Sequence, residues 1–171
     1  ARLVDALAQL GSARPDLTVF SSSWKDRLTT TLPAGVRRVD RRVPVQCLNW
    51  LWHRQEWPPV ELLAPGPFDV VHSPTPLMVP TRSAARVVTI HDVDFLAPPE
   101  RGVREIRRDY VRLARAHAHR ADVVVVPSHY TGEQVAARRQ DAQARGGSNH
   151  RAIINIYMPG GPSHIDLWDL K

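Results

Sequence analysis

The chain has 171 residues, of which 43% are hydrophobic and 23% are charged, a balance typical of one globular domain with a substantial core. No apolar run approaches the roughly 20 residues that span a bilayer, and no signal peptide is visible. The single cysteine, Cys47, excludes a disulfide framework and a cysteine-based zinc site, and it fits a reducing cytoplasm. Because the chain starts at Ala1 and not at Met, we expect its true N-terminus to have been lost.

The formal net charge of +6 comes from basic residues that are nearly all arginine. Two interpretations stay open: phosphate binding by guanidinium groups, or the arginine-rich codon usage of a genome with high GC content. A basic surface also suits an anionic membrane face or an anionic sugar donor. Nucleic-acid binding needs exposed aromatic residues among the basic ones or a recognised reader motif. The sequence has neither, so no nucleic-acid partner is expected.

Hydrophobic periodicity, interrupted by glycine and proline, divides the chain into alternating helices and strands. In chain order, the pattern predicts a helix over 1–10, strands over 17–21 and 36–39, a helix over 45–57, strands over 68–74 and 85–92, a helix over 103–120, a strand over 121–128 and a helix over 131–139. This alternation predicts an α/β fold with a mostly parallel sheet. The stretch 140–150 has no hydrophobic anchor and is predicted to be a linker or a junction.

Three tryptophans lie in the predicted helix over 45–57, at Trp50, Trp52 and Trp57. We expect them to pack in the core, since aromatic side chains at such positions usually do. A sugar-stacking or membrane-facing surface is the alternative.

Three of the predicted strands end in polar residues. The first ends in His72 and Ser73, the second in His91 and Asp92, and the third in Ser128. In open parallel sheets, ligands bind beyond the carboxyl ends of the strands, so these tips are expected to meet at one cleft. The sequence has no G-x-G-x-x-G and no P-loop, so these motifs give no support to a nucleotide site.

His91 is the strongest catalytic candidate. A neutral imidazole accepts or donates a hydrogen bond to a sugar hydroxyl, and its ordinary pKa near 6.5 lets it transfer protons. Asp92 is expected to hold a hydroxyl or to orient the ring. Each candidate also has a structural interpretation: His91 and His72 as caps of the sheet, Ser73 as part of a turn, and Ser128 as the N-cap of the next helix.

The segments FDVVHSPTPLMVP (68–80), RVVTIHDVDFLAPPE (86–100) and IRRDYVRLARAHAHRADVVVVPSHYTGEQV (106–135) resemble the N-terminal domain of family 4 glycosyltransferases, the retaining GT-B class. The resemblance covers residues 1–139. It implies a Rossmann-like, mostly parallel sheet with helices on both faces, in a domain that holds the sugar acceptor. It also implies a hexosyltransferase-like bacterial enzyme with a nucleotide-sugar donor as substrate and no metal or other cofactor.

The same resemblance implies roles for individual residues. His91 matches the family's catalytic histidine, with Asp92 beside it, while Ser128 and Thr131 match a serine–threonine element near the interdomain cleft. His72 and Ser73 are expected to bind substrate. The partners implied are a sugar, lipid or polysaccharide acceptor and a nucleotide sugar. The implied location is the cytoplasm, with peripheral contact to the inner membrane.

Two family features lie outside the sequence: the glycine-rich loop after the first strand and the donor domain with its paired glutamates. We therefore expect an incomplete acceptor-side domain that is inactive by itself. The tail RAIINIYMPGGPSHIDLWDLK (151–171) resembles the start of a different bacterial domain, of unknown function and related to sulfatases and alkaline phosphatases. That resemblance offers His164 and Asp166 as metal ligands, although a tail without function is the interpretation we favour. A fusion, a frameshift and an assembly artefact all account for the junction.

Two other functions remain as alternatives. A metal-dependent hydrolase of the sulfatase or phosphatase type is suggested by the tail alone. A basic module that binds anions is suggested by the net charge alone.

Overall fold

A computed structural model of the chain describes residues 2–22, 31–91, 104–143 and 152–155. The described residues belong to two compact units. The first is built from residues within 1–67 and 80–82, and the second from residues within 68–79 and 83–171. Within the described ranges, no helix combines the length and the apolar character needed to cross a membrane.

The first unit contains a pair of parallel strands and three α-helices among its described residues. Helix α1 spans Arg2–Ala8, strand β1 Thr18–Ser22, strand β2 Arg37–Arg41, helix α2 Val45–Arg54 and helix α3 Val60–Leu63, with a short 3-10 helix at Gly11–Ala13. Strands β1 and β2 are in register from Thr18 opposite Arg37 to Ser22 opposite Arg41. The turn before β2 contains Gly35, whose φ of +76° is left-handed backbone that favours glycine.

Helix α2 and the residues after it place the three tryptophans in different environments. Trp52 is buried, its ring lies 5.9 Å from that of Phe20, and its indole N–H donates to the carbonyl of Pro58 at 2.9 Å. Trp50 and Trp57 are each 57% exposed. Residues two apart on a helix point to nearly opposite sides, and Trp57 lies beyond the end of α2. The expectation of core packing is therefore confirmed for Trp52 and wrong for the other two.

The second unit is a four-stranded parallel sheet with helices between its later strands. Strand β3 spans Val70–Ser73, strand β4 Ala85–Thr89, helix α4 Arg104–Arg120, strand β5 Val123–Val126, helix α5 His129–Gln143 and strand β6 Ala152–Asn155. The strand order is β3-β4-β5-β6. The ladders run in parallel throughout, with Val70 opposite Ala85, Val87 opposite Val123, and Val123 opposite Ala152.

The core of the second unit lies on one face of this sheet. Val88, Val124 and Val126 are fully buried. They cluster with Ala118 of α4 and Val135 of α5, so both helices contribute to the same layer. Strand residues two apart point to the same face, which explains why alternate valines of β5 are buried while their neighbours are only partly covered.

These units confirm the predicted α/β class: the fold is Rossmann-like, with parallel strands and with helical crossovers from β4 to β5 and from β5 to β6. Every helix and strand expected from the sequence is present within a few residues of its predicted bounds. Two further elements were not expected, α3 and the pairing of β6 with β5. Strand β6 belongs to the stretch 151–171 that resembles another family, and Ile153 and Ile154 extend the sheet of the second unit.

Candidate functional site

The tips of three neighbouring strands form the candidate site. Because β3, β4 and β5 are adjacent and parallel, their carboxyl ends lie at the same edge of the sheet. Ser73 ends β3, His91 follows β4, and Ser128 follows β5, as the sequence predicted. Asp92, the other catalytic candidate, lies outside the described residues.

His72 and Thr89 connect the tips of β3 and β4. The imidazole Nε2 of His72 lies 2.8 Å from the hydroxyl of Thr89, within hydrogen-bonding distance. The register places His72 opposite Val87, and Thr89 lies two residues further along β4, so both side chains project from the same face. Sequence reasoning did not select Thr89. The signal was present in its spacing of two residues from His91, which puts both on one side of an extended chain.

His91 is exposed at the edge of the sheet, one residue beyond the point where Ile90 donates its N–H to the carbonyl of Val125 at 2.9 Å. Its Nε2 lies 3.2 Å from the carbonyl oxygen of Pro74. A carbonyl oxygen only accepts hydrogen bonds, so Nε2 must carry the hydrogen and donate. In the neutral ring, Nδ1 then carries the lone pair and is the atom that can accept a hydrogen bond from a ligand.

The two histidines are close enough to interact electrostatically. Partial burial of the ring lowers the pKa of His72, and the nearby His91 lowers it further because two positive charges repel. His72 is therefore held in its neutral form to lower pH than an ordinary histidine. A neutral His72 can bond to Thr89 without adding positive charge beside His91.

We expect the His72 imidazole to titrate below its ordinary pKa of 6.5, and the His91→Ala substitution to move this pKa upward by removing the repulsion. Burial remains in the variant, so its His72 pKa should stay below 6.5. The folded state binds this proton less tightly than the unfolded chain. Stability from this group is therefore intact above pH 6.5 and is lost as the pH falls towards the lowered pKa. Titration of the imidazole signals by NMR measures both values; an unchanged His72 pKa in the variant would contradict the pairing.

Ser73 holds the loop that follows β3. Its side chain is 5% exposed, and its hydroxyl donates to the carbonyl of Leu77 at 2.7 Å. The same hydroxyl lies 3.1 Å from that of Thr75, whose oxygen accepts from the N–H of Leu77 at 3.3 Å. These bonds close a compact turn over Pro74 and Leu77 and fix the carbonyl against which His91 is placed.

Ser128 and Thr131 form a helix cap at the tip of β5. The hydroxyl oxygen of Ser128 accepts from the backbone N–H of Thr131 at 3.2 Å, and the two hydroxyl oxygens are 3.0 Å apart. A serine that accepts from the N–H three residues later is the N-cap, here of α5. Among the described residues, the side-chain hydrogen bonds of this pair are to each other, and the carbonyl of Ser128 accepts from the N–H of Gly132 at 3.0 Å. The structural interpretation of Ser128 is thus confirmed, and its contact with substrate stays a prediction.

Replacing Ser128 with alanine is expected to lower the free energy of unfolding by about 1 kcal/mol, because α5 loses a cap for one of its first N–H groups. Ser128→Asp should restore this loss, since a carboxylate accepts the same bond and also suits the positive end of the helix. Urea denaturation of the three proteins gives the comparison. Equal stability of the alanine variant and the parent would show that the cap contributes nothing.

Within the ranges that the structure describes, no three histidine, cysteine, aspartate or glutamate side chains are grouped so as to hold a metal ion. His164 and Asp166, the ligands suggested by the resemblance of the tail, lie outside the described residues.

A parallel α/β sheet that gathers histidines and hydroxyls beyond its strand ends is the arrangement of Rossmann-like domains that bind substrate at that edge. The chain belongs to glycosyltransferase family 4, whose model matches residues 1–145. No curated protein and no solved structure matches the chain. The resemblance of residues 1–139 to this family is confirmed, and the domain is one of a glycosyltransferase.

Proposed function

We propose that this domain binds the acceptor of a sugar-transfer reaction at the carboxyl edge of the β3-β4-β5 sheet. The observation that carries the proposal is the placement of His91. The ring is exposed, it donates from Nε2 to the carbonyl of Pro74, and it stands beside a second imidazole, that of His72. Such a ring offers a fixed acceptor, Nδ1, to a sugar hydroxyl.

In this proposal each side chain at the site has a different role. His91 accepts a hydrogen bond from a hydroxyl near the sugar that is transferred, and Asp92 assists it. His72 adds a second polar contact without a second positive charge. Ser73 keeps the loop in shape, while Ser128 and Thr131 line the neighbouring strand tip. The donor is a nucleotide sugar bound as a substrate, and no metal or other cofactor is needed.

The acceptor we propose is a sugar, or a lipid or polysaccharide that carries one, reached from the cytoplasm. The formal net charge of +6 and the exposed indole rings of Trp50 and Trp57 suit peripheral contact with an anionic membrane face.

The direct test is ligand binding by the chain itself. Saturation-transfer NMR with a panel of simple glycosides and nucleotide sugars should show transfer to the protons of at least one sugar ring. Tris, a buffer molecule that has hydroxyl groups but no sugar ring, serves as the negative control at the same concentration. If none of the sugars in the panel shows transfer, the support for an acceptor site is removed.

A further inference from the structure

A buried histidine on α4 contacts the loop that shapes the candidate site. His117 is only 4% exposed, and its Nδ1 accepts the backbone N–H of Met78 at 2.9 Å. The nitrogen that accepts must carry the lone pair, so Nδ1 of His117 is unprotonated in this structure.

The bond to Met78 completes the fixation of one peptide group. The carbonyl of Leu77 accepts from the hydroxyl of Ser73 at 2.7 Å, and the N–H of the same peptide unit, that of Met78, donates to His117 at 2.9 Å. Both polar ends of the Leu77–Met78 peptide are therefore held by side chains. Since a peptide group is planar, holding both ends fixes the rotation of the whole unit.

This fixed peptide holds the loop after β3 on one side of Pro74, and Ser73 lies on the other side. Pro74 lies between the two anchors, and its carbonyl is the group to which His91 donates at 3.2 Å. Met78 itself is buried in the cluster with Val88 and Ile90, so the anchor is seated in the core. A chain of contacts therefore connects His117, through this loop, to Nε2 of His91, the nitrogen that carries the hydrogen.

We infer that His117 is a positioning residue for the candidate site: by holding the Leu77–Met78 peptide, it places the carbonyl of Pro74 and so selects the tautomer of His91 that leaves Nδ1 open to ligand. The meaning of that tautomer for sugar binding depends on the proposed function. The tautomer itself does not, because it follows from the contact of Nε2 with the carbonyl of Pro74, which is present without any ligand.

The test compares substitutions of His117 that keep or remove a hydrogen-bond acceptor for the N–H of Met78. In His117→Asn, the amide oxygen can take the place of Nδ1. In His117→Leu no acceptor remains, and in His117→Gln the amide reaches towards the place of Nε2 instead. Two readouts are recorded on the free protein: the ¹⁵N shifts of the His91 ring, which report its tautomer, and hydrogen exchange of the Met78 amide.

We expect the leucine and glutamine variants to expose the Met78 amide to exchange at least tenfold faster and to convert His91 to a mixture of tautomers. The asparagine variant should retain the parental values. Val135→Ala, which truncates a buried residue of the same core cluster, is the control for general destabilisation and should leave the tautomer unchanged. If the leucine variant does not fold, the comparison of glutamine with asparagine decides.

An unchanged His91 tautomer in both the leucine and glutamine variants would overturn the inference, as would the same shift in Val135→Ala. Failure of the proposed function gives a different result. In that case the tautomer responds to His117 as expected, while no sugar binds to the parent protein.

Discussion

Replacing His91 with alanine is expected to weaken sugar binding by up to about tenfold, with little change in stability. The ring is exposed, so its removal opens no cavity in the core. What is lost is an oriented acceptor, and such a hydrogen bond contributes roughly 0.5–1.5 kcal/mol net. A loss of about 1.4 kcal/mol corresponds to a tenfold change in the dissociation constant.

Two further substitutions separate the roles of the two ring nitrogens. In His91→Gln, the amide can still donate to the carbonyl of Pro74 but places no acceptor where Nδ1 was. In His91→Asn, the amide oxygen can replace Nδ1. We expect glutamine to bind sugar as weakly as alanine, and asparagine to retain part of the affinity. Saturation-transfer titrations with the best sugar of the panel give the dissociation constants.

His119→Ala is the matched control for removal of an imidazole. His119 belongs to α4 and not to the strand tips that form the candidate site. Its substitution should leave affinity unchanged. Equal affinity of the parent and His91→Ala, with binding otherwise intact, would place the sugar elsewhere on the chain.

The second large effect is a loss of stability when a buried valine in the core of the second unit is truncated. Val124→Ala should lower the free energy of unfolding by about 2–3 kcal/mol, because two buried methyl groups are lost and a cavity is left. Val124 is fully buried between β4 and β6, in contact with the layer that α4 and α5 form. A loss of this size is a large part of the stability of an ordinary domain.

Val70→Ala is the matched control, since it is the same substitution on another strand of the sheet. Val70 is 56% exposed on β3, so its truncation should cost about 0.5 kcal/mol or less. The lower strand propensity of alanine affects both variants alike. Urea denaturation with unchanged slope measures the difference, and similar losses in the two variants would show that the core does not lie on the face described.

The sequence predicted the order of elements well because the signals are local. The valine run within 121–128 and the helical period of residues 103–120 are each contained in one segment. Helix α3 was not predicted because Val60–Leu63 is a single turn, which is too short to show a helical period of hydrophobic residues. The pairing of β6 with β5 is a contact between distant segments, and no local pattern contains it.

The candidate site was predicted in outline for a similar reason. The rule that ligands bind beyond parallel strand ends was enough to select His72 and His91 and to place them at one edge. It could not supply their partners. The contact of His72 with Thr89 depends on strand register, and that of His91 with Pro74 depends on the path of a loop. His117 belongs to α4 and not to a strand tip, so the same rule did not select it.

The carbonyl of Pro74 gives the edge of the sheet a chemical preference. Because it can take a hydrogen bond from the His91 ring but cannot give one, the neutral ring faces solvent with a lone pair. A free alcohol on the incoming molecule satisfies that lone pair, whereas the methyl ether of the same alcohol does not. We therefore expect this one backbone oxygen, in the loop between β3 and β4, to let the domain distinguish a bare hydroxyl from an alkylated one.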